Sequence, residues 1–197
     1  MSRFIAFEGG EGSGKSTQAA LLAGRLGAVL THEPGGTEIG VRIRAIVLDP
    51  VVGTRLDVRA EALLMAADRA QHVTEVIRPA LVDGRDVVTD RFSGSTLAYQ
   101  GYGRGLGVAE LASLSRWATG GLEPDVVVLL DVPAEVAAAR MKQDLDRMEA
   151  AGHDFHRRVA AGYRALAAAD PDRWRVVDGS GAVDDVASRV AKALDCP

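Results

Sequence analysis

The sequence contains one cysteine, no long apolar run and no excess of positive charge, and each absence argues against a class of protein. A single thiol, Cys196, can form neither an internal disulfide nor a cysteine metal site, and it fits a reducing cytoplasm. No apolar run approaches the ~20 residues that cross a bilayer, and no signal segment precedes the first predicted strand. The net charge of −4 gives no indication of nucleic-acid binding. We therefore expect a cytoplasmic protein that binds neither membranes nor nucleic acid.

The length and composition predict one globular domain. The 197 residues are 47% hydrophobic and 25% charged, which is ordinary for a protein with a full core. The chain has no internal repeat, no low-complexity tract and no linker. We therefore predict a single domain over residues 1–197.

Short apolar segments alternate with helical patterns along the whole chain. Strands are predicted at residues 4–7, 28–31, 86–90, 125–131 and 174–177. Helices are predicted at residues 16–26, 38–48, 57–82 with a bend near Pro79, 108–119, 133–149, 154–169 and 183–194. This alternation predicts an α/β fold with a parallel sheet covered by helices on both faces, and ligands at the carboxyl ends of the strands.

Residues 9–16 fit G-x-x-x-x-G-K-[ST], the pattern of a phosphate-binding loop (P-loop), between a predicted strand and a predicted helix. Such a loop turns backbone N–H groups and a helix N-terminus toward phosphate oxygens. Lys15 is expected to reach the β- and γ-phosphates, and the Ser16 hydroxyl to bind Mg²⁺. The pattern predicts binding of a nucleoside triphosphate, whereas a glycine-rich turn without a ligand is the alternative. The loop comprises Gly9, Gly10, Glu11, Gly12, Ser13, Gly14, Lys15, Ser16 and Thr17.

A second polar group follows the strand at residues 86–90. Asp90 is placed to hold Mg²⁺, and the guanidinium of Arg91 suits a phosphate, although an ion pair at the surface is the alternative. The polar side chains that could bind a sugar or base follow Arg91 in the sequence: Ser95, Thr96, Tyr99 and Gln100.

Two further segments have ordinary explanations when each is read alone. Residues 32–37 form a proline-glycine turn at the carboxyl end of the second strand. The charged run at residues 140–149, continuing to Arg157 and Arg158, fits either a solvated helix face or a mobile basic lid over phosphates.

Taken together, these motifs resemble the thymidylate kinase family, one of the nucleoside monophosphate kinases of the P-loop NTPase type. The segments that carry the resemblance are residues 7–17, 33–37, 67–72, 90–101 and 146–149. The resemblance implies a three-layer sandwich with a five-stranded parallel sheet, a helical lid at about residues 140–155, and a homodimer. It also implies that the chain phosphorylates dTMP to dTDP with ATP and Mg²⁺, for dTTP synthesis in DNA replication.

The same resemblance implies a role for each candidate site residue. Catalytic roles fall to Lys15, Arg91, Arg140 and Arg147, while Ser16 and Asp90 would hold the metal. Arg91 would bind the acceptor phosphate, Arg69 would hydrogen-bond the thymine, and Tyr99 would pack against the sugar. The full set expected around dTMP is Glu11, Pro34, Met65, Arg69, Arg91, Ser95, Thr96, Tyr99 and Gln100.

Four positions differ from the family pattern, and they leave alternatives open. His32 replaces an arginine, Met65 replaces the aromatic residue that stacks on thymine, and Gly12 replaces an arginine found in some members. Where that P-loop arginine is missing, the family's lid supplies the cations, so the candidates are Arg140, Lys142 and Arg147, although Lys142 stands where an arginine is expected. The alternatives are a kinase for another monophosphate or a small metabolite, an inactive homologue, and a nucleotide-dependent switch, although the switch motif Asn-Lys-x-Asp is missing.

Overall fold

The computed structural model describes residues 2–51, 55–140 and 146–195, and it contains a five-stranded parallel sheet. The strands are β1 (Phe4–Glu8), β2 (Val29–His32), β3 (Val87–Asp90), β4 (Val126–Asp131) and β5 (Trp174–Asp178). Their order in the sheet is β2-β3-β1-β4-β5, with every neighbouring pair parallel. The predicted five-stranded parallel sheet is therefore confirmed.

Alternate residues of β1 pack into different cores, which shows how helices cover both faces of the sheet. Ile5 and Phe7 belong to a buried cluster with residues from the first and last helices, whereas Phe4 and Ala6 pack with Val73 and other residues on the opposite face. Because successive side chains of a strand point to opposite faces, a strand buried on both sides becomes uniformly apolar. This explains the continuous apolar runs of the sequence and confirms the three-layer arrangement.

The helices agree with the predicted alternation in most places. They are α1 (Lys15–Leu26), α2 (Glu38–Leu48), α3 (Val58–His72), α4 (Arg78–Val82), α5 (Ser93–Thr96), α6 (Val108–Thr119), α7 (Ala134–Arg140), α8 (His153–Ala169) and α9 (Val183–Ala193). Two π-helical segments, Val73–Ile77 and Leu97–Gly103, follow α3 and α5. None of these helices is long and apolar enough to cross a membrane.

The helix predicted over residues 57–82 is divided into three pieces. A π-helical turn lies between α3 and α4, although the backbone stays helical from one into the other. Pro79 comes just after this turn, and its missing N–H interrupts the regular ladder of helical hydrogen bonds there. The segment α5 with its π-helical continuation was not predicted at all. Its sequence, rich in glycine and serine, has little helix propensity, so burial of the segment determines its form.

The helix predicted over residues 133–149 is confirmed at Ala134–Arg140 and is wrong at residues 146–149, while residues 141–145 lie outside the described residues. Residues 146–148 are not helical, and a short 3₁₀ turn at Glu149–Ala151 precedes α8. The cause is a reciprocal cap. The carboxylate of Asp146 accepts hydrogen bonds from the backbone N–H groups of Met148 and Glu149, while the Asp146 N–H donates to the Glu149 carboxylate. Such a pair of bonds starts a new helical turn and so cannot lie inside a continuous helix. The predicted lid residues Lys142 and Asp144 lie outside the described residues.

Candidate active site

The P-loop connects β1 to α1 and can be built only with glycine at two of its positions. Gly9 and Gly12 have φ angles of 146° and 68°, in the region that favours glycine. A Cβ atom would lie 2.6 Å from the Leu130 carbonyl oxygen at Gly9, and 2.3 Å from the Ala137 carbonyl oxygen at Gly12. The loop is thus held tightly against the end of β4 and against α7.

Lys15 opens α1, and its ammonium group bends back over the loop. The Nζ atom donates to the Gly10 carbonyl at 2.7 Å and lies 3.3 Å from the Ser13 hydroxyl. Burial and the nearby charge of Arg91 lower the pKa of Lys15 to about 8, although the charge of Glu11 opposes them. Lys15 is therefore mostly protonated at neutral pH and presents a desolvated positive charge inside the loop.

Ser16 and Asp90, the two residues predicted to hold a metal, meet at the carboxyl edge of the sheet. Asp90 ends β3 in register with Phe7 of β1, which brings it beside the start of α1. The Ser16 hydroxyl donates to one carboxylate oxygen of Asp90 at 2.5 Å. The other carboxylate oxygen, Oδ1, is buried and has no hydrogen-bond partner among the described residues. A hydroxyl beside a carboxylate with an unused oxygen is a donor set that fits Mg²⁺.

Arg91 occupies the centre of the site in an unusual backbone conformation. Its φ angle is 72°, which is costly for a residue with a side chain and is tolerated where the surroundings hold it in place. The guanidinium donates to the Gly9 carbonyl at 3.1 Å, to the Ser95 hydroxyl at 3.1 Å and to the Glu11 carboxylate at 2.5 Å. It also lies over the ring of Tyr99, 5.0 Å from the ring centroid. These contacts fix its direction before any ligand binds.

Glu11 joins the P-loop to the residues that follow β3. The Tyr99 hydroxyl donates to its carboxylate at 2.7 Å, beside the contact with Arg91. Burial would raise the pKa of Glu11, but the charges of Arg91 and Lys15 outweigh burial and lower that pKa to about 2. Glu11 is therefore ionised at every physiological pH.

Two adjoining cavities share this ion pair in their lining. The phosphate cavity, of about 410 Å³, is lined by residues including Lys15, Ser16, His32, Asp90 and Arg91. The acceptor cavity is more apolar, and its lining includes Pro34, Val47, Leu48, Met65, Ser95, Tyr99, Asp146 and Met148. Glu11, Glu33, Arg44 and Arg91 line both cavities. The site can therefore hold two groups in adjoining cavities that share one arginine.

Three residues predicted to contact the acceptor lie behind the wall of its cavity. Arg69, Thr96 and Gln100 are each at most 1% exposed. The Arg69 guanidinium donates to the Glu33 carboxylate at 2.9 Å, to the Thr96 hydroxyl at 3.0 Å and to the Phe92 carbonyl at 3.0 Å. Their contact with a base stays a prediction, and in this structure Arg69 supports Glu33 from behind. By contrast, the structure brings six of the predicted residues together in the lining of this cavity, and their contact with dTMP stays a prediction: Glu11, Pro34, Met65, Arg91, Ser95 and Tyr99.

The two predicted lid arginines lie in different places. Arg140 ends α7 and donates to the Gly179 carbonyl at 3.0 Å, with a second contact of 3.5 Å to the P-loop carbonyl of Gly12. Arg147 instead pairs with the buried carboxylate of Glu61 and donates to the Val47 carbonyl at 2.9 Å. The structure brings Arg140 to the P-loop, whereas Arg147 lies among residues of α2 and α3, so its predicted place over the phosphates is not the one observed.

Two buried residues of the site were missed by the sequence analysis. Glu8 accepts hydrogen bonds from the backbone N–H groups of Phe92 and Ser95 and from the hydroxyls of Ser95 and Tyr163. Burial raises the pKa of Glu8, although the hydrogen bond from Ser95 and the charge of Arg91 oppose it. An acidic residue at the end of an apolar strand was the available signal for Glu8. Tyr163 comes from the middle of α8, and nothing local in the sequence indicates its position.

The chain is similar to proteins of one family. The family model described as thymidylate kinase matches residues 7–190. A thymidylate kinase from Roseiflexus castenholzii (strain DSM 13941 / HLO8) is 46% identical over 215 aligned positions, which cover 99% of this chain and 93% of the relative. A thymidylate kinase from Synechococcus sp. (strain JA-3-3Ab) is 50% identical, and the alignment covers 95% of this chain and 92% of the relative. The crystal structure of thymidylate kinase from Ehrlichia chaffeensis matches with a TM-score of 0.82 and 32% identity over 98% of both chains.

Proposed function

The chain belongs to the thymidylate kinase family, and we propose that its two adjoining cavities hold ATP and dTMP for transfer of the γ-phosphate. The enzyme is thus a dTMP kinase, a transferase that makes dTDP from dTMP on the route to dTTP. The observation that carries the assignment of the cavities is the position of Arg91, which lines both of them and is held by a P-loop carboxylate.

The donor side would be formed by the P-loop and α1. Backbone N–H groups of the loop and the positive end of α1 attract phosphate oxygens, and Lys15 adds a charge that burial keeps out of bulk water. Ser16 and Asp90 would hold Mg²⁺, which neutralises phosphate charge when it is bound. Because phosphoryl transfer needs positioning and charge neutralisation more than covalent catalysis, these groups supply what the donor requires.

The acceptor side would be formed around Arg91 and the apolar cavity. A guanidinium presents a planar fork of donors that fits a phosphate, and its rigid support by Ser95 and Gly9 fixes the direction of approach. The sugar would lie beside Glu11 and Tyr99, and the base between Met65 and the other apolar residues of the cavity. Methionine covers a ring face without the fixed plane of an aromatic residue, so the position of the base depends on its other neighbours as well.

Arg140 is the better supported of the described candidates for a cation at the transferred phosphate. Its guanidinium is bound to carbonyls of the loop after β5 and lies near the P-loop. A well-placed arginine at the transferred phosphate contributes roughly 10³–10⁵ in rate. No general base is required, because a phosphate monoester is already nucleophilic at neutral pH.

A homodimer is also proposed, on two observations. Trp117 on α6 is 81% exposed and Leu63 on α3 is 58% exposed, and these two helices pack against each other. Large apolar side chains exposed on two adjacent helices favour a protein–protein contact. Light scattering after gel filtration should give twice the chain mass, and Trp117→Glu should give the mass of one chain. A wild-type monomer at micromolar concentration would contradict the dimer.

A cytoplasmic location is proposed from the reaction itself, which draws on ATP and supplies a precursor of DNA. Cell fractionation with an antibody against the full chain should find it in the cytoplasmic fraction. Recovery with membranes or outside the cell would contradict this location.

The acceptor is tested by a coupled assay of ADP release with ATP and Mg²⁺. Each of dTMP, dUMP, dGMP, dCMP and UMP is supplied in turn, beside a blank without acceptor. The assignment predicts fast turnover with dTMP and a nearly silent blank. Preference for another monophosphate would overturn the cavity roles of Met65 and Tyr99, and a blank as fast as every acceptor would indicate an NTPase or switch.

A further inference from the structure

Glu61 is a buried carboxylate that holds three side chains from distant parts of the chain. It lies on α3 and is 0% exposed. The Gln100 amide donates to it at 2.7 Å, Arg104 lies 3.5 Å away, and Arg147 forms a closer ion pair with it. A buried carboxylate without a partner would strongly destabilise the fold, so Glu61 holds these partners firmly.

Through Arg147, this carboxylate holds residues 146–148, the lid-end segment. The Arg147 backbone N–H donates to the Leu48 carbonyl at 3.3 Å, and its Nε donates to the Val47 carbonyl at 2.9 Å. The lid-end segment is thus joined to the last turn of α2 by the backbone and to α3 by the ion pair with Glu61. The capping bonds of Asp146 give the segment its fixed shape.

The lid-end segment also forms part of the acceptor cavity. Asp146 and Met148 line this cavity together with Leu48 and Met65. Met148 is 5% exposed, and it packs in a cluster with Tyr99 and Phe155. Its sulfur lies 3.6 Å from the Arg104 guanidinium, which is itself bound to Glu61. The buried carboxylate of Glu61 therefore holds the lid-end segment through Arg147, and through Arg104 it also holds the Met148 side chain that lines the cavity.

We propose that Glu61 is a positioning residue that holds the lid-end segment, through Arg147, as a wall of the acceptor cavity, and that Met148 on this segment contributes to specificity for the base. The proposal rests on the proposed function, because it takes the acceptor cavity to be the dTMP site. Arg147 then acts on acceptor binding rather than on the transferred phosphate. Because Met65 alone gives the base no fixed plane, Met148 supplies further apolar contact.

The test is the kinetics of Arg147→Met in the full chain, with dTMP and ATP varied separately. Loss of the ion pair between Arg147 and Glu61 should raise the KM for dTMP about tenfold or more, the equivalent of about 1.4 kcal/mol. The KM for ATP and kcat should change by less than about threefold. The matched control is Arg42→Met, because Arg42 pairs with Glu38 at the exposed surface of α2. Its kinetic constants should equal those of the wild type.

A fall in kcat of roughly 10³-fold with unchanged KM for dTMP would show that Arg147 acts on the transition state, and it would overturn the proposal. A lower melting temperature with unchanged kinetic constants would also overturn it, because the ion pair would then be structural only. A wild-type enzyme without dTMP turnover would instead contradict the proposed function, so the two failures are distinguishable.

Met148→Ala provides a second test, which leaves the ion pair between Arg147 and Glu61 intact. This test does not depend on whether Arg147→Met folds. It should raise the KM for dTMP several-fold and reduce the preference for dTMP over dUMP, because one methyl group in an apolar pocket is worth about 1–3 kcal/mol. An unchanged ratio of the two kcat/KM values would contradict the role of Met148.

Discussion

The guanidinium of Arg91 lies 2.5 Å from the carboxylate of Glu11, so the residue proposed to bind the acceptor phosphate is paired with an acid from the P-loop. Both side chains are largely buried, and both line the two cavities of the site. The pair therefore connects the loop that would hold the donor with the residue that would hold the acceptor. Four predictions follow from this arrangement and from its surroundings.

Arg91→Lys should retain the positive charge and lose the planar fork of donors. We expect kcat/KM for dTMP to fall by about 10²-fold or more, because a lysine cannot hold the phosphate in line while also contacting Gly9 and Ser95. The measurement is steady-state kinetics with dTMP as the varied substrate. Arg85→Lys is the control, since Arg85 lies in the loop before β3 and pairs at the surface with Asp83. An Arg91→Lys enzyme with wild-type kinetics would contradict the role of the fork.

Glu11 should contribute a pH-dependent part of the stability. Its pKa is lowered to about 2 in the folded state, so its contribution is complete above its unfolded pKa, near 4.5, and is lost as the pH falls toward 2. One pKa unit corresponds to about 1.4 kcal/mol, so this difference in pKa limits the contribution of Glu11 to the free energy of unfolding to about 3 kcal/mol. We expect the unfolding free energy of wild type to fall more steeply below pH 4.5 than that of Glu11→Gln, as measured by urea unfolding between pH 7 and pH 3. If the unfolding free energies of wild type and Glu11→Gln fell in parallel with pH, the lowered pKa of Glu11 would be contradicted.

Ser16→Ala should weaken the metal site without disturbing the fold. The variant removes the hydroxyl that donates to Asp90, so we expect a higher Mg²⁺ concentration for half-maximal rate and a partial recovery when Mg²⁺ is raised. Titration of the rate with Mg²⁺ at fixed ATP measures the effect. Ser188→Ala is the control, because the Ser188 hydroxyl donates to the Asp184 carbonyl on the exposed side of α9, away from the P-loop. Identical Mg²⁺ dependence in both variants would contradict the assignment.

Gly94→Ala should destabilise the protein by about 1–3 kcal/mol, because overpacking forces neighbours to shift. A Cβ atom there would lie 2.7 Å from the Glu8 carboxylate and 2.9 Å from the Trp174 ring, both of which are fixed. Gly24→Ala is the matched control, since nothing lies within 4 Å of its Cβ position inside α1. The control should gain about 0.5–1 kcal/mol from helix propensity. Urea unfolding measures both, and equal free energies would contradict the packing around Glu8.

The sheet and the P-loop could be predicted because their signals are local. Apolar runs between glycine and aspartate identified all five strands, and the Lys-Ser pair after a glycine loop located Lys15 and Ser16. The new helical turn that begins after Asp146 could also have been predicted, because Asp146 and Glu149 have the spacing of a reciprocal helix cap. The charge pattern of that segment is equally compatible with one continuous helix, and this led to the wrong prediction.

The parts of the site that could not be predicted depend on contacts between distant segments. The burial of Arg69 depends on Glu33 and Thr96, which are 36 and 27 positions away. The pairing of Arg147 with Glu61 spans 86 positions, so the charge of a lid residue gave no indication of its partner. Long-range pairs of this kind leave no period or spacing in a single sequence.

The measurement that tests the central claim most directly is ³¹P NMR of the products formed from ATP, dTMP and Mg²⁺ by the full chain. If the γ-phosphate is transferred across the Arg91 site, the dTMP signal should disappear while dTDP and ADP appear in equal amounts, and Arg91→Lys should slow both equally. Formation of ADP and inorganic phosphate with dTMP unchanged would contradict the account.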